Sequence, residues 1–291
     1  MQTRGNRFIG LLLGLCLLLS CGKEAGDQPG ETALVVEGWI ENGSHPVVLV
    51  SESISLVTGE LVSAQDMLSH IAKWARVTVS DGEKTVVLTG MTDTGYFPPY
   101  IFTSSEITGE VGKTYSLSVT YKDYEAQAFT TIPAPVPVDT VYVKQMASDS
   151  LATLVVGFTD PPAPGHFYRI FTRTEGVDSH YHPSALANVS DEFMHDYAEM
   201  NLYSTQRLMD YIDYPNIHEG DRIWIKLCTQ SEDSFNYWNA FEASILANVG
   251  NLRNVRESGI SRNMQGAVGY WAGYGVAREV CFQVSGEAAG D

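Results

Sequence analysis

Positive charge is scarce in this chain: 18 Lys and Arg stand against 35 Asp and Glu among 291 residues, a net charge of −17. A surface of that sign repels phosphate backbones and argues against nucleic acid as a partner. No apolar run reaches the roughly 20 residues that cross a bilayer as a helix. Cysteine is scarce too, at four, and the two that fall in the body of the chain do not make a metal site. No Gly-x-Ser-x-Gly elbow, His-Glu-x-x-His pair, phosphate-cradling glycine loop or EF-hand spacing occurs. There is no internal repeat and no low-complexity tract. The expectation from these absences is a protein without catalytic activity and without a cofactor.

What is present begins at the N-terminus. Arg4 and Arg7 precede an apolar run from Phe8 to Leu19, broken by Gly10, Gly14 and Cys16. A basic stretch followed by a short apolar one reads as a secretion signal rather than a membrane helix. Leu18-Leu19-Ser20-Cys21 has the pattern of a lipobox, in which the cysteine thiol is diacylated before the signal is removed. Residues 1–20 are thus the expected signal peptide and Cys21 the expected lipidation site. Removing residues 1–20 leaves 271 residues with 16 basic against 35 acidic side chains, a net charge of −19. Such a body does not lie on anionic headgroups, so acyl chains must hold it to the membrane. With Cys21, the polar run GKEAGDQPGE makes residues 21–31 a flexible tether.

The body reads as mostly β, with short alternating runs separated by Gly, Asp, Asn and Pro. Strands are expected at Ala33–Ile40, Pro46–Ser51, Arg76–Ser80, Thr85–Thr89, Gly95–Phe102, Lys113–Tyr121 and Tyr124–Ile132. Asp81-Gly82 supplies a hairpin turn. Met67, Ile71 and Trp74 recur at helical spacing, so Ala64–Trp74 is expected as a helical insertion. Seven strands in about 100 residues suggest an immunoglobulin-like β-sandwich over 32–132. The alternating prolines at 133–139 then read as a semi-rigid linker. A second β-rich domain is expected over 140–286, its opening similar to a fibronectin type III start. Its strands are read at Thr140–Gln145, Leu151–Thr159, Phe167–Thr172, Arg222–Gln230 and Gly275–Val284. Helices are expected at Ser204–Tyr214 and at Asp233–Val249, where Phe235, Trp238, Phe241, Ile245 and Val249 form an apolar stripe.

Three groups of residues are candidates for chemistry. Cys228 and Cys281 both point away from the apolar faces of their strands. Two readings stay open: a disulfide between neighbouring strands, or two free thiols. No metal is expected, but His180, His182 and His195 fall within sixteen residues, beside Asp178, Asp191 and Asp196. They are either the start of a metal site or a solvated polar loop. Tyr270, Trp271 and Tyr274, with Tyr96, Phe97 and Tyr100, are candidate contacts for a ligand or partner; the alternative is ordinary sandwich packing. Asp139-Thr140-Val141 and Asp149-Ser150-Leu151 resemble the acceptor for general O-glycosylation in Bacteroidota.

Several segments together resemble one family. Leu34-Val35-Val36-Glu37-Gly38-Trp39-Ile40, Ala75–Gly82, Gly112–Leu117 with Ile132-Pro133, Tyr237–Trp238 and Asn263–Trp271 are similar to successive parts of a Bacteroidota lipoprotein family, domain of unknown function 4249. The Ala64–Trp74 insertion departs from its pattern, as does tryptophan where the terminal segment more often has phenylalanine. The resemblance implies an outer-membrane lipoprotein, on either membrane face, that assists a TonB-dependent receptor in uptake of a small nutrient or glycan. It carries no catalytic residues. A glycan- or matrix-binding adhesin is the alternative, and a hydrolase with a hidden site is the third reading.

Overall fold

The computed structural model describes residues 32–53, 64–146, 152–194, 196–203, 217–248 and 263–285. The expected signal peptide, Cys21, the tether, His195, the Ser204–Tyr214 helix and the Asp149-Ser150-Leu151 tripeptide lie outside the described residues. The chain is mostly β. Its first half contains β1 (Leu34–Glu41), β2 (Val47–Glu52), α1 (Ala64–Ser69), β3 (Arg76–Ser80), β4 (Thr85–Val87), β5 (Thr89–Met91), β6 (Ile101–Thr103), β7 (Thr114–Tyr121) and β8 (Tyr124–Thr131). The second contains β9 (Thr140–Met146), β10 (Ala152–Thr159), β11 (Phe167–Thr174), β12 (His182–Ser190), β13 (Tyr197–Leu202), β14 (Arg222–Gln230), α2 (Glu232–Asn248), β15 (Met264–Gln265), β16 (Val268–Val276) and β17 (Val280–Gln283).

Two sandwiches share one long sheet. Its strand order is β12-β11-β14-β16-β1-β2-β6-β5, with β17 also paired to β14. The sheet β15-β8-β7-β3-β4 covers one end of it and β13-β10-β9 the other. The first core is built from alternate residues such as Val36, Val48, Val77, Leu117 and Trp271. The second core holds Leu154, Phe158, Tyr168, Ile170 and Ile225. At the start of β7, the Tyr115 hydroxyl donates to the Thr108 carbonyl at 3.0 Å, the bond of a tyrosine corner in immunoglobulin-like sandwiches.

The C-terminal segment corrects the expected division of the chain. Residues 268–276, of which only the last two were expected to be strand, form β16, the central strand that runs parallel to β1. Met264, Ala267 and Trp271 belong to the first core. The boundary at 132/140 therefore does not separate the sandwiches, because the first is completed by residues from the end of the chain. Residues 133–139 are not a free spacer either. Ile132 and Val136 are buried, and a Cβ on Gly275 would collide with the Pro133 carbonyl. Two asparagines hold β16 in place. Asn263 exchanges two hydrogen bonds with the Trp271 backbone at 3.0 and 2.7 Å. Asn42 does the same to Val276 at 2.9 and 2.6 Å.

Other differences are local. The Asp81-Gly82 hairpin exists, but Ser80 pairs with Thr85, so its loop has four residues. Leu88 then interrupts the return strand, and β5 crosses to pair with β6 in the opposite sheet. Residues 92–100 form a loop with a cis Phe97–Pro98 bond in place of the expected strand. α1 ends at Ser69, because Ile71 makes a bridge to Ser51, and Trp74 projects into solvent with 91% exposure. The polar stretch from 175 to 219 includes β12 and β13. α2 forms where expected, started by Ser231, whose hydroxyl accepts the Ser234 N–H, with Glu232 and Asp233 favouring its positive end.

Candidate functional site

Period-two alternation gives the strands of the shared sheet a second face. On β1, Leu34, Val36, Gly38 and Ile40 look into the first core, while Glu37, Trp39 and Glu41 look outward. Register places Tyr270 beside Glu37 and Tyr274 beside Glu41 on β16. α2 packs over this face and contributes Tyr237 and Trp238 to a third, aromatic cluster with Tyr270, Ala272, Tyr274 and Cys228. The face is thus buried under α2 at one end and opens beside it into a cavity of about 790 Å³.

The cavity is built by both halves of the chain. Its floor is Glu37, Trp39 and Glu41 of β1, with Tyr270 and Tyr274 of β16. Phe171, Arg173 and Lys226 come from β11 and β14. Two loops form the rim, 92–100 and 175–181, and they lock together. The ring of Tyr96 stacks on His180 at 4.1 Å and 15°. His180 Nε2 lies 3.1 Å from Asp93 Oδ1. A Cβ on Gly95 would collide with that imidazole, so only glycine permits this contact. Burial, with help from Asp93 and Glu41, pushes the Tyr96 hydroxyl up to about 12.

The charges are unevenly matched. Lys226 Nζ is 2.6 Å from Glu41 Oε1 and lies 4.4 Å from the centre of the Tyr181 ring. Burial opposes the lysine's charge, but Glu41, Cys228 and Glu279 together outweigh it and the Lys226 pKa rises. Burial alone holds the Glu37 carboxyl above the usual carboxylate range. Behind the cavity, the fully buried Arg169 donates to Glu242 of α2 at 3.0 Å and stacks 3.8 Å above Trp238. Trp238 in turn donates to the Tyr274 hydroxyl at 3.0 Å. This chain of contacts fixes the wall that α2 supplies.

The candidate residues separate clearly. Tyr270 and Tyr274 line the cavity, as do Tyr96 and Phe97. Trp271 is no ligand contact: it is fully buried on the opposite face and donates to the Tyr115 carbonyl at 3.0 Å. Tyr100 packs against the first core. Cys228 and Cys281 are free. Register sets Cys281 opposite Trp224 and Cys228 opposite Val276, which leaves them four residues apart along β14, roughly 13 Å and beyond the reach of a disulfide. His180 and His182 both line the cavity. Neither joins a three-ligand cluster among the described residues. The cluster that does form is Asp160, His166 and Asp191, where Asp191 also caps the N–H groups of Gly165 and His166. The sequence reading missed Glu37, Glu41 and Lys226. The signal was there in two acidic residues four apart, on one face of an otherwise apolar strand.

No curated protein matches this chain. Among solved structures, a cytokine receptor complex is 7% identical, with 87% of this chain and 98% of that chain covered and a TM-score of 0.26. A DUF4785 family protein from Legionella pneumophila is 10% identical, with 68% and 53% covered and a TM-score of 0.22. Scores that low leave the fold to be described on its own terms. The family model for a domain of unknown function, DUF4249, matches residues 24–279, nearly the whole described body and every strand of the cavity floor, and the chain belongs to that family.

Proposed function

We propose that this protein is a lipid-anchored, non-enzymatic binding protein of the outer membrane, which holds a small ligand in the cavity on the outer face of its shared sheet and serves a TonB-dependent transporter. The cavity carries this reading. It is of ligand size, lined with aromatic rings and a few placed polar groups, and framed by rigid strands and interlocked loops, the usual form of a small-molecule site. The signal at residues 1–20, with Cys21 at its end, supports the address, and the family resemblance supports the partner. A hydrolytic reading fits less well. Glu37 and Glu41 stand four residues apart on one strand, roughly 13 Å between Cα atoms, and Glu41 is held by Lys226.

The test is recovery of the tagged, lipidated protein from membranes in mild detergent. A β-barrel receptor should copurify, and deletion of the gene should impair uptake of the nutrient that receptor carries. Recovery as a lone monomer, with unimpaired uptake, would reject the transport role. Binding of an array glycan without any uptake defect would favour the adhesin.

A further inference from the structure

Glu37 stands in the middle of β1, where a strand covered on both sides ordinarily carries an apolar residue. Its neighbours are Leu49 on β2 and Tyr270 on β16, and Tyr237 of α2 lies within its field. Among the described residues its carboxylate has no hydrogen bond and no ion pair. The other acids at the cavity are matched, Glu41 by Lys226 and Asp93 by His180. Glu37 is only partly exposed, and that exposure is toward the cavity; a carboxylate so enclosed without a partner costs stability, and leucine or valine would suit the strand better. Neither packing nor a neighbouring side chain accounts for it. What remains is the content of the cavity.

We infer that the cavity binds an organic cation, a protonated amine or guanidinium on an apolar or aromatic body, with Glu37 as the counter-charge. This rests on the reading of the cavity as a ligand site. A carboxylate and an ammonium group attract strongly where water is displaced. Trp39, Trp238 and Tyr270 place aromatic rings around the same space, and ring faces attract cations. The net charge of −17 draws cations toward the molecule and keeps anions away. A neutral ligand would leave Glu37 without a counter-charge.

Binding should also move a proton. The groups facing Glu37 are Tyr270 from β16 and Tyr237 from α2; Leu49 from β2 is apolar. Both tyrosines are held protonated, chiefly by burial. A cation beside Glu37 favours its ionised form, so its arrival displaces any proton the carboxyl holds.

The experiment titrates the protein with phenethylamine and its neutral counterpart 2-phenylethanol, following tryptophan fluorescence. The amine should bind at least about tenfold more tightly, with proton release seen as a difference in heat between two buffers. Glu37→Gln should bring the two probes within about twofold while the far-ultraviolet spectrum stays native. Equal affinity of the two probes, an undiminished amine preference in Glu37→Gln, or no binding of the amine overturns the inference. Trp39→Ala separates it from the underlying reading. If both probes bind that variant as they bind the parent, the cavity is not the site and the proposed function loses its support. If both are weakened, the cavity stands, and only the amine preference decides the cation.

Discussion

Glu37 of β1 and Tyr270 of β16 stand side by side across a parallel strand pair, brought together from positions 233 residues apart in the chain. The pairing places a carboxylate under an aromatic cluster, and its energetic consequence is measurable. Burial raises the folded-state pKa of Glu37 above its unfolded value near 4.5. The folded protein therefore keeps a proton over a range where the unfolded chain has lost it, and stability falls as pH rises through that range. Glu37→Gln removes this slope. Urea unfolding should find the variant more stable than the parent at pH 8, by about 1 kcal/mol given the opening onto the cavity. At pH 4 the two should be nearly equal.

Asp81 has the opposite sign. It accepts the N–H groups of Glu83 and Lys84 and lies 3.1 Å from Lys113. Chiefly the Lys84 N–H, then the Lys113 ammonium, lower its pKa to about 2. Its contribution is fully present above 3.8 and is lost as pH falls through about 2. Asp81→Asn should cost about 1 kcal/mol at pH 7, with the difference shrinking in acid.

Arg169 and Glu242 form a buried pair beneath α2. Removing one partner leaves an uncompensated charge, so Glu242→Ala should destabilise by about 3 kcal/mol. The double variant Arg169→Met/Glu242→Leu should recover much of that. Both outcomes are read from urea midpoints, and recovery no greater than in the single variant would contradict the pairing.

Trp271 tests the first core. Trp271→Ala should cost about 3–5 kcal/mol. Trp271→Phe should cost about 1–3 kcal/mol, because the Tyr115 carbonyl loses its donor.

The cysteines offer a chemical test. Cys281 is partly exposed and Cys228 is fully buried, with its thiol pKa raised by burial. Iodoacetamide should label Cys281 in the native protein and Cys228 only after unfolding. No mass change should follow reduction of the native body.

Local pattern made most strands legible. Arg222–Gln230 was readable to its ends, because Ile223, Ile225 and Leu227 alternate with polar neighbours. The same alternation placed both cysteines on the outward face, yet it could not show that α2 covers that face and buries Cys228. β16 was harder. Its glycines lower strand propensity, and a parallel partner more than 200 residues away leaves no local signature. Helical spacing misled at Ile71 and Trp74, where pairing of Ile71 with Ser51 overrides it. The cavity was half legible: Tyr270 and Tyr274 were named, but Trp271 was grouped with them although period two sends it to the other face. Glu37 sits within the run Leu34–Ile40, where it reads simply as part of a strand.

The parallel pairing of β1 with β16 also sets an order of assembly. A chain made or translocated from its N-terminus presents β1 long before its partner exists. Until residues 268–276 arrive, one edge of β1 is unpaired and the first core lacks Trp271. Open edges invite wrong pairings, so the nascent chain has a long exposure to guard. Premature termination anywhere before β16 leaves no floor beside Glu37. The cavity is consequently a certificate of completion: only a chain that extends through β16 can possess it.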